Sequence, residues 1–226
     1  MTSDDVILRA VDVHKSYRTG SVETPVLHGL DLELRRGEFV SVMGPSGCGK
    51  STFLNVIGLM MAPTRARSLI IDDVEAMGLS DGRRTALRRD KIGFVFQRFN
   101  LLPVISAADN VRLAMRLRGM SPNGRPEALL EQFGLSDKAD RKPGALSMGE
   151  QQRVAIARAV ACGPTILLAD EPTGNLDSDN ARQVLDVLTT LNQRDAQTIV
   201  MITHNEQCAA AGDRTIRMQD GRFLDP

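Results

Sequence analysis

Nine residues, Gly44-Pro45-Ser46-Gly47-Cys48-Gly49-Lys50-Ser51-Thr52, constrain this chain more than any other stretch. They follow the pattern G-x-x-x-x-G-K-[ST], and the flanks are the ones that pattern needs. Glu38 to Met43 reads as a buried strand before the loop, and Phe53 to Leu59 as a helix after it. Between strand and helix, the glycines let the backbone curl until successive N–H groups face one point. The helix start adds partial positive charge, and Lys50 reaches the terminal phosphates of a bound nucleotide. Ser51 sets a hydroxyl beside the same oxygens, where a hydrated Mg²⁺ can be shared between protein and nucleotide. Cys48 puts a thiol within the loop, which bound nucleotide is expected to shield from alkylation.

A chain of 226 residues has room for one large domain with a sizeable core. Its formal net charge is zero, so no overall basic field recruits nucleic acid. The three cysteines, Cys48, Cys162 and Cys208, lack metal-ligand spacing, which reads as reduced thiols in a reducing compartment and implies no zinc site. The start, Met1-Thr2-Ser3-Asp4-Asp5, is acidic, no apolar leader core follows, and no run approaches the roughly eighteen apolar residues of a membrane span. The expectation is a cytoplasmic protein that meets a membrane only through a partner.

Along the chain, Val6 to Tyr17 and Val26 to Leu34 read as strands separated by a polar loop from Arg18 to Pro25. Tyr17, the single tyrosine, is either a face for adenine to stack on or an ordinary half-exposed strand residue. Leu69 to Ile71 is a short strand. Ser80 to Arg89 is a charged helix whose Arg83, Arg84, Arg88, Arg89 and Lys91 read first as a solvated face and second as a contact for acidic headgroups or carboxylates. Ile92 to Phe96 is a core strand ending at Gln97. From Asn100 to Gly163 the strand pattern stops and breakers separate helices, among them Ala107 to Leu117 and Pro126 to Phe133. A third helix starts at Ser147-Met148-Gly149-Glu150, a capping box. Gly149 in its first turn costs roughly 1 kcal/mol against alanine, which suggests that something approaches that backbone closely, an anion being the natural candidate.

Thr165 to Ala169 is an uninterrupted apolar run, as a strand buried on both faces should be, and it ends in Asp170-Glu171. Asp170 is placed to bind a Mg²⁺ shell and Glu171 to polarise water for attack on a γ-phosphate. Ser178 to Arg194 is an amphipathic core helix, Thr198 to Thr203 another buried strand, and His204 follows it. Gln97, Asp170, Glu171 and His204 thus all stand at carboxyl ends of strands, the ligand edge of an open α/β sheet. Thr215 to Leu224 reads as a hairpin around Asp220-Gly221.

Taken together, these segments resemble the ATP-binding subunits of ATP-binding cassette (ABC) transporters over nearly the whole chain. Gly44 to Thr52 resembles the Walker A loop, Gln97 the Q-loop, Leu146 to Arg153 the signature segment and Ile166 to Glu171 the Walker B strand. Gly174-Asn175-Leu176-Asp177 resembles the D-loop and His204 the switch histidine. Phe94 to Pro103 and Asp170 to Asp177 are most similar to the lipoprotein-release, macrolide-export and cell-division branch.

The resemblance implies a P-loop NTPase core, a mostly parallel sheet with helices on both faces, plus an antiparallel β subdomain and an inserted α-helical subdomain. Residues 1–99 and 164–226 form the core, and 100–163 the helical part carrying the signature. It implies ATP and Mg²⁺ as ligands, Tyr17 on adenine, and Gly44, Pro45, Ser46, Gly47, Cys48, Gly49, Lys50, Ser51 and Thr52 on the phosphates. Ser51, Gln97 and Asp170 arrange Mg²⁺, Glu171 is the general base, and His204 holds the γ-phosphate. In a head-to-tail homodimer, Ser147, Met148, Gly149, Glu150 and Asp177 act on the partner's nucleotide. An integral membrane permease is the further partner, which places the chain on the cytoplasmic face of the membrane. The alternative implied role is a non-transport ATPase that regulates a membrane-bound partner in cell division or cell-wall remodelling. Two departures stand out: Met148 occupies the place of the signature's first glycine, and Arg65-Ala66-Arg67 replaces a common Ser-Gly pair.

Overall fold

The computed structural model describes residues 5–224, so Met1 to Asp4 of the acidic start lie outside it. The strands β1 (Val6–Thr19), β2 (Val22–Arg35), β4 (Ser68–Ile71) and β5 (Val74–Glu75) form an antiparallel sheet in the order β2-β1-β4-β5. A second sheet contains β3 (Phe39–Met43), β6 (Ile92–Val95), β7 (Ile166–Asp170), β8 (Thr198–Thr203), β9 (Arg214–Gln219) and β10 (Arg222–Phe223). Its order is β10-β9-β3-β8-β7-β6, and only β10 pairs antiparallel.

Alternate residues of the parallel strands enter two different cores, as a period of two requires. Val40, Val42, Ile166, Leu168, Val200 and Ile202 face the core shared with β1, β2, β4 and the helix α1 (Lys50–Ile57). Leu167, Ala169, Ile199 and Met201 face the other core, with α3 (Ala107–Leu117), α4 (Arg125–Gln132), α5 (Met148–Val160) and α6 (Ser178–Asp195). Burial on both faces is why these strands read as continuous apolar runs. Between β6 and β7 the described chain runs through α3, α4, two short 3₁₀ turns and α5, with no strand.

The sequence reading is corrected in two places and extended in two. Arg18 to Pro25 is not a loop: β1 and β2 continue through it as a ribbon pairing Arg18 with Glu23 and Thr19 with Val22, closed at Gly20-Ser21. Its exposed polar residues lack alternation because no core covers either face there. Helix α1 starts at Lys50 rather than Phe53, directly from the loop. The tail does turn at Asp220-Gly221, both in left-handed backbone, yet β9 also pairs parallel to β3 and so belongs to the central sheet. Finally, Ser80 is the N-cap of α2 (Asp81–Lys91), whose side chains form a solvated face. Arg84 pairs with Asp81, Arg89 with Asp90 and Lys91 with Asp72. A short helix, α7 (Glu206–Ala209), follows β8.

Candidate functional site

The order β3-β8-β7-β6 decides the site, because the carboxyl ends of those four neighbouring strands carry the glycine-rich loop, His204, Asp170-Glu171 and Gln97 in that sequence. Met43 lies opposite Thr203 and Asp170 opposite Ile202, so the ends are level. With strands about 4.8 Å apart, the whole row spans roughly 15 Å, which suits a triphosphate and its reacting water.

The loop wraps its own lysine. Lys50 is 5% exposed, and its ammonium donates to the carbonyls of Gly44 and Pro45, both at 2.8 Å. Gly49, the residue before α1, has φ 105°, a left-handed conformation that favours glycine, and no side chain caps the helix start. The first-turn N–H groups of α1 are therefore presented to an anion. Cys48 departs from expectation: its thiol is buried beneath the loop, 2.9 Å from where a Cβ on Gly44 would stand. A thiol so placed is shielded from solvent by the chain itself, so alkylation is expected to be slow with or without nucleotide.

Asp170 and Ser51 meet across the loop and β7, with the hydroxyl donating to Asp170 Oδ1 at 3.1 Å. Burial pushes the Asp170 carboxyl up from the ordinary value of 3.8; the Ser51 hydroxyl pulls it back, Glu171 raises it and Lys50 lowers it. A half-buried carboxylate reluctant to ionise is relieved by a hard cation, so the pair fits Mg²⁺. No group of three or more His, Cys, Asp and Glu side chains able to hold a metal occurs among the described residues. The ion would need phosphate oxygens to complete its shell. Glu171 sits in left-handed backbone, φ 45°, held by its N–H to Ile202 O at 3.0 Å, and its Oε2 lies 3.0 Å from His204 Nδ1. Such strain in a non-glycine residue at a strand end aims a side chain.

Gln97 lies on a loop slung from other elements. Gln152 of α5 donates to Phe96 O at 3.3 Å, Asn175 to Gln97 O at 3.1 Å, and Arg158 of α5 to Phe99 O at 2.9 Å and Asn100 O at 2.5 Å. Burial pushes the Arg158 guanidinium down. Sequence reasoning missed Gln152 and Arg158, although a glutamine and an arginine among Val154, Ala155, Ile156 and Ala157 signal polar groups on a buried face. At the other end of the site Tyr17 is 42% exposed, its hydroxyl 3.4 Å from Thr52 Oγ1, with the Lys15 ammonium 5.7 Å from its ring centre.

Ser147, Met148, Gly149, Glu150 and Asp177 are not joined to this row. Ser147 caps α5: its hydroxyl accepts from Glu150 N at 3.2 Å while its own N–H donates to the Glu150 carboxylate at 2.7 Å. Met148 is 46% exposed. Asp177 caps α6, accepting from Asn180 N at 2.9 Å. Within the chain, the group closest to Gly149 is the Asn180 side chain: a Cβ there would stand 2.6 Å from Asn180 Cγ.

The family model described as ABC transporter matches residues 27–174. The chain is 44% identical over 222 residues to an uncharacterized ABC transporter ATP-binding protein, MJ0796, of Methanocaldococcus jannaschii, covering 95% of this chain and 94% of that one. It is also 44% identical to the lipoprotein-releasing system ATP-binding protein LolD of Gluconobacter oxydans, covering 96% and 95%. With the macrolide export ATP-binding/permease protein MacB of Syntrophobacter fumaroxidans it shares 43% identity, covering 95% of this chain but only 31% of that protein, so it spans about a third of MacB. Among solved structures, the dimeric post-hydrolysis state of MJ0796 bound to ADP and Pi superposes with a TM-score of 0.88 at 42% identity, covering 96% of this chain and 97% of that one.

Proposed function

The chain belongs to the ABC transporter family, whose cassettes hydrolyse ATP, and on that footing we propose that it powers a membrane permease of the lipoprotein-release or macrolide-export type. Two copies close head to tail around two ATP molecules, and hydrolysis lets them part. Residues 1–99 and 164–226 act as the ATPase body, and 100–163 as a helical arm.

The observation that carries this reading is the meeting of Ser51 and Asp170, because it joins the phosphate loop to the carboxylates at the end of β7. Adenine stacks on Tyr17. Lys50 exchanges the Gly44 and Pro45 carbonyls for β- and γ-phosphate oxygens, and the N–H groups from Gly47 to Thr52 cradle the phosphates. Ser51, Asp170 and Gln97 hold Mg²⁺, which when bound neutralises charge on the phosphate oxygens. Glu171 Oε takes a proton from water as that water's oxygen bonds to the γ-phosphorus and the bond to the β-phosphate oxygen breaks, leaving ADP and phosphate. His204 fixes Glu171 through Nδ1 and offers Nε2 to the γ-phosphate. Ser147, Gly149 and Asp177 meet the partner's nucleotide, and the exposed Met148 points away from it.

The likeness in sequence to LolD and MacB supports the transporter type. The exposed Leu102 and Val104, beyond the Gln97 loop, support a dock there for the permease, with Arg98, Phe99 and Leu101 alongside. No helix among the described residues is long and apolar enough to cross a membrane; in this reading the permease is what holds the chain at the cytoplasmic face. Glu171→Gln tests the ATPase reading: it should lower turnover by about a hundredfold or more while leaving ATP bound, and gel filtration with ATP should show a dimer. A nucleotide-loaded monomer would overturn the head-to-tail dimer, and unchanged turnover would overturn Glu171 as the base.

A further inference from the structure

Helices α5 and α6 lie side by side with their starts at the same end, because Gly149 meets Asn180 and, one turn on, Arg153 donates to Gln183 at 2.5 Å. Both starts are capped, α5 by Ser147 and α6 by Asp177, so two turns that face the second copy in the proposed dimer stand next to each other in the single chain. Asn180 is the side chain between them. Its Nδ2 donates to Asp177 Oδ2 at 2.8 Å, and its other face packs on Gly149 so tightly that a Cβ there would lie 2.8 Å from Asn180 Cβ, 2.6 Å from its Cγ and closer still to Oδ1. A rotamer change could withdraw the amide, at the loss of the Asp177 bond, but cannot withdraw the Cβ. Any side chain at 149 must therefore push the two helices apart.

We infer that Asn180 is a positioning residue: it locks the Ser147–Glu150 turn to the Asp177 turn of the same chain, and it is the reason position 149 holds glycine. This rests on the head-to-tail dimer proposed above. The two turns then reach the partner's nucleotide as one rigid piece, and a shift of either carries the other with it.

The test is a size ladder in the Glu171→Gln background, read as the ATP concentration for half-dimerisation, with monomer nucleotide affinity and melting temperature measured alongside. Gly149→Ala should raise that concentration at least tenfold, roughly what an overpacked contact costs. Adding Asn180→Ala should restore it only in part, since its Cβ remains, and adding Asn180→Gly should restore most of it. Asn180→Ala alone should raise it about threefold without changing the nucleotide affinity of the monomer, a separation that general loss of structure would not produce. The inference is overturned if Gly149→Ala is harmless, or if the Gly149→Ala, Asn180→Gly pair stays as deficient as Gly149→Ala while melting and binding nucleotide normally. In that second case the glycine serves the phosphate. If Glu171→Gln itself never dimerises, the dimer reading fails instead. The same ladder in melting temperature of the nucleotide-free monomer then still decides the packing claim, supported by restoration with Asn180→Gly and overturned by its absence.

Discussion

The starts of α1 and α5 are both helix N-termini assigned here to the same triphosphate, and they are built in opposite ways. At α1 no side chain caps the helix, no acidic residue lies in the first turn, and Lys50 is folded in against backbone carbonyls. At α5 the caps are doubly satisfied within the chain, Ser147 on Glu150 N and Glu150 on Ser147 N. The first is ready for an anion in a single molecule. The second keeps the Ser147 hydroxyl proton and the first-turn N–H groups of Met148 and Gly149 for a phosphate, but it stands apart from the row of strand ends in its own chain, so it engages only when a partner's nucleotide is presented. The difference teaches an order of events: binding by one chain comes first, and closure of two comes second.

Lys50→Ala gives the largest effect that could break this contrast. It should weaken ATP binding by the lone chain about a hundredfold or more, because a charge-assisted contact to phosphate is lost inside a buried loop. Fluorescent-nucleotide titration of the monomer reads it. Ser147→Arg, at the other start, should leave that titration unchanged. If both variants lose binding equally, the two halves are not separable and the proposed order is wrong.

Turnover sharpens the comparison with a smaller effect. At saturating ATP, Ser147→Arg should lower kcat by about tenfold or more, since a long cation replaces the hydroxyl at the closing turn. Met148→Gly should change it by less than about threefold, because the methionine side chain is exposed and its neighbour supplies the cap. The reverse ranking would mean that the first glycine of the usual signature, absent here, is the one that matters.

Much of the first half of the site was legible in the sequence, and the reason is physical. Strands buried on both faces announce themselves as apolar runs, so the residues that interrupt them, Asp170, Glu171, His204 and Gln97, stand out at once. The fold's other features depend on pairings distant in the chain. Nothing local in Arg214 to Gln219, four of its six residues exposed and polar, says that it lies beside β3. The ribbon through Arg18 to Pro25 is held by cross-strand pairing rather than by any pattern of its own. At the signature turn, Gly149 was legible as a place of close approach, but the approaching group was not, because Asn180 lies 31 positions on in another helix. Arg158 and Gln152 escaped notice for the same reason: their partners are carbonyls of residues 96 to 100, and backbone acceptors leave no mark in a sequence.

The smallest expected effect contrasts the two halves through pH. Asp170, beside the phosphate loop, has its carboxyl raised from 3.8 chiefly by burial, whereas Asp177, at the closing turn, has its carboxyl lowered from 3.8 by the Asn180 backbone N–H and side chain. For Asp170 the folded state resists ionisation, so stability falls as pH rises from 3.8 through the raised folded value and then levels off. For Asp177 the folded state favours ionisation; its contribution is complete above 3.8 and is lost as pH falls through the lowered folded value. Without nucleotide or Mg²⁺, Asp170→Asn should therefore melt slightly higher than the parent at pH 7, and Asp177→Asn slightly lower. Both differences should shrink towards zero in acid, once each carboxyl is protonated in the folded and unfolded chain alike. Two curves of the same sign would show that the phosphate-loop carboxylate is not held against its own preference for water, and the contrast between a half strained to receive a cation and a half already satisfied would fall.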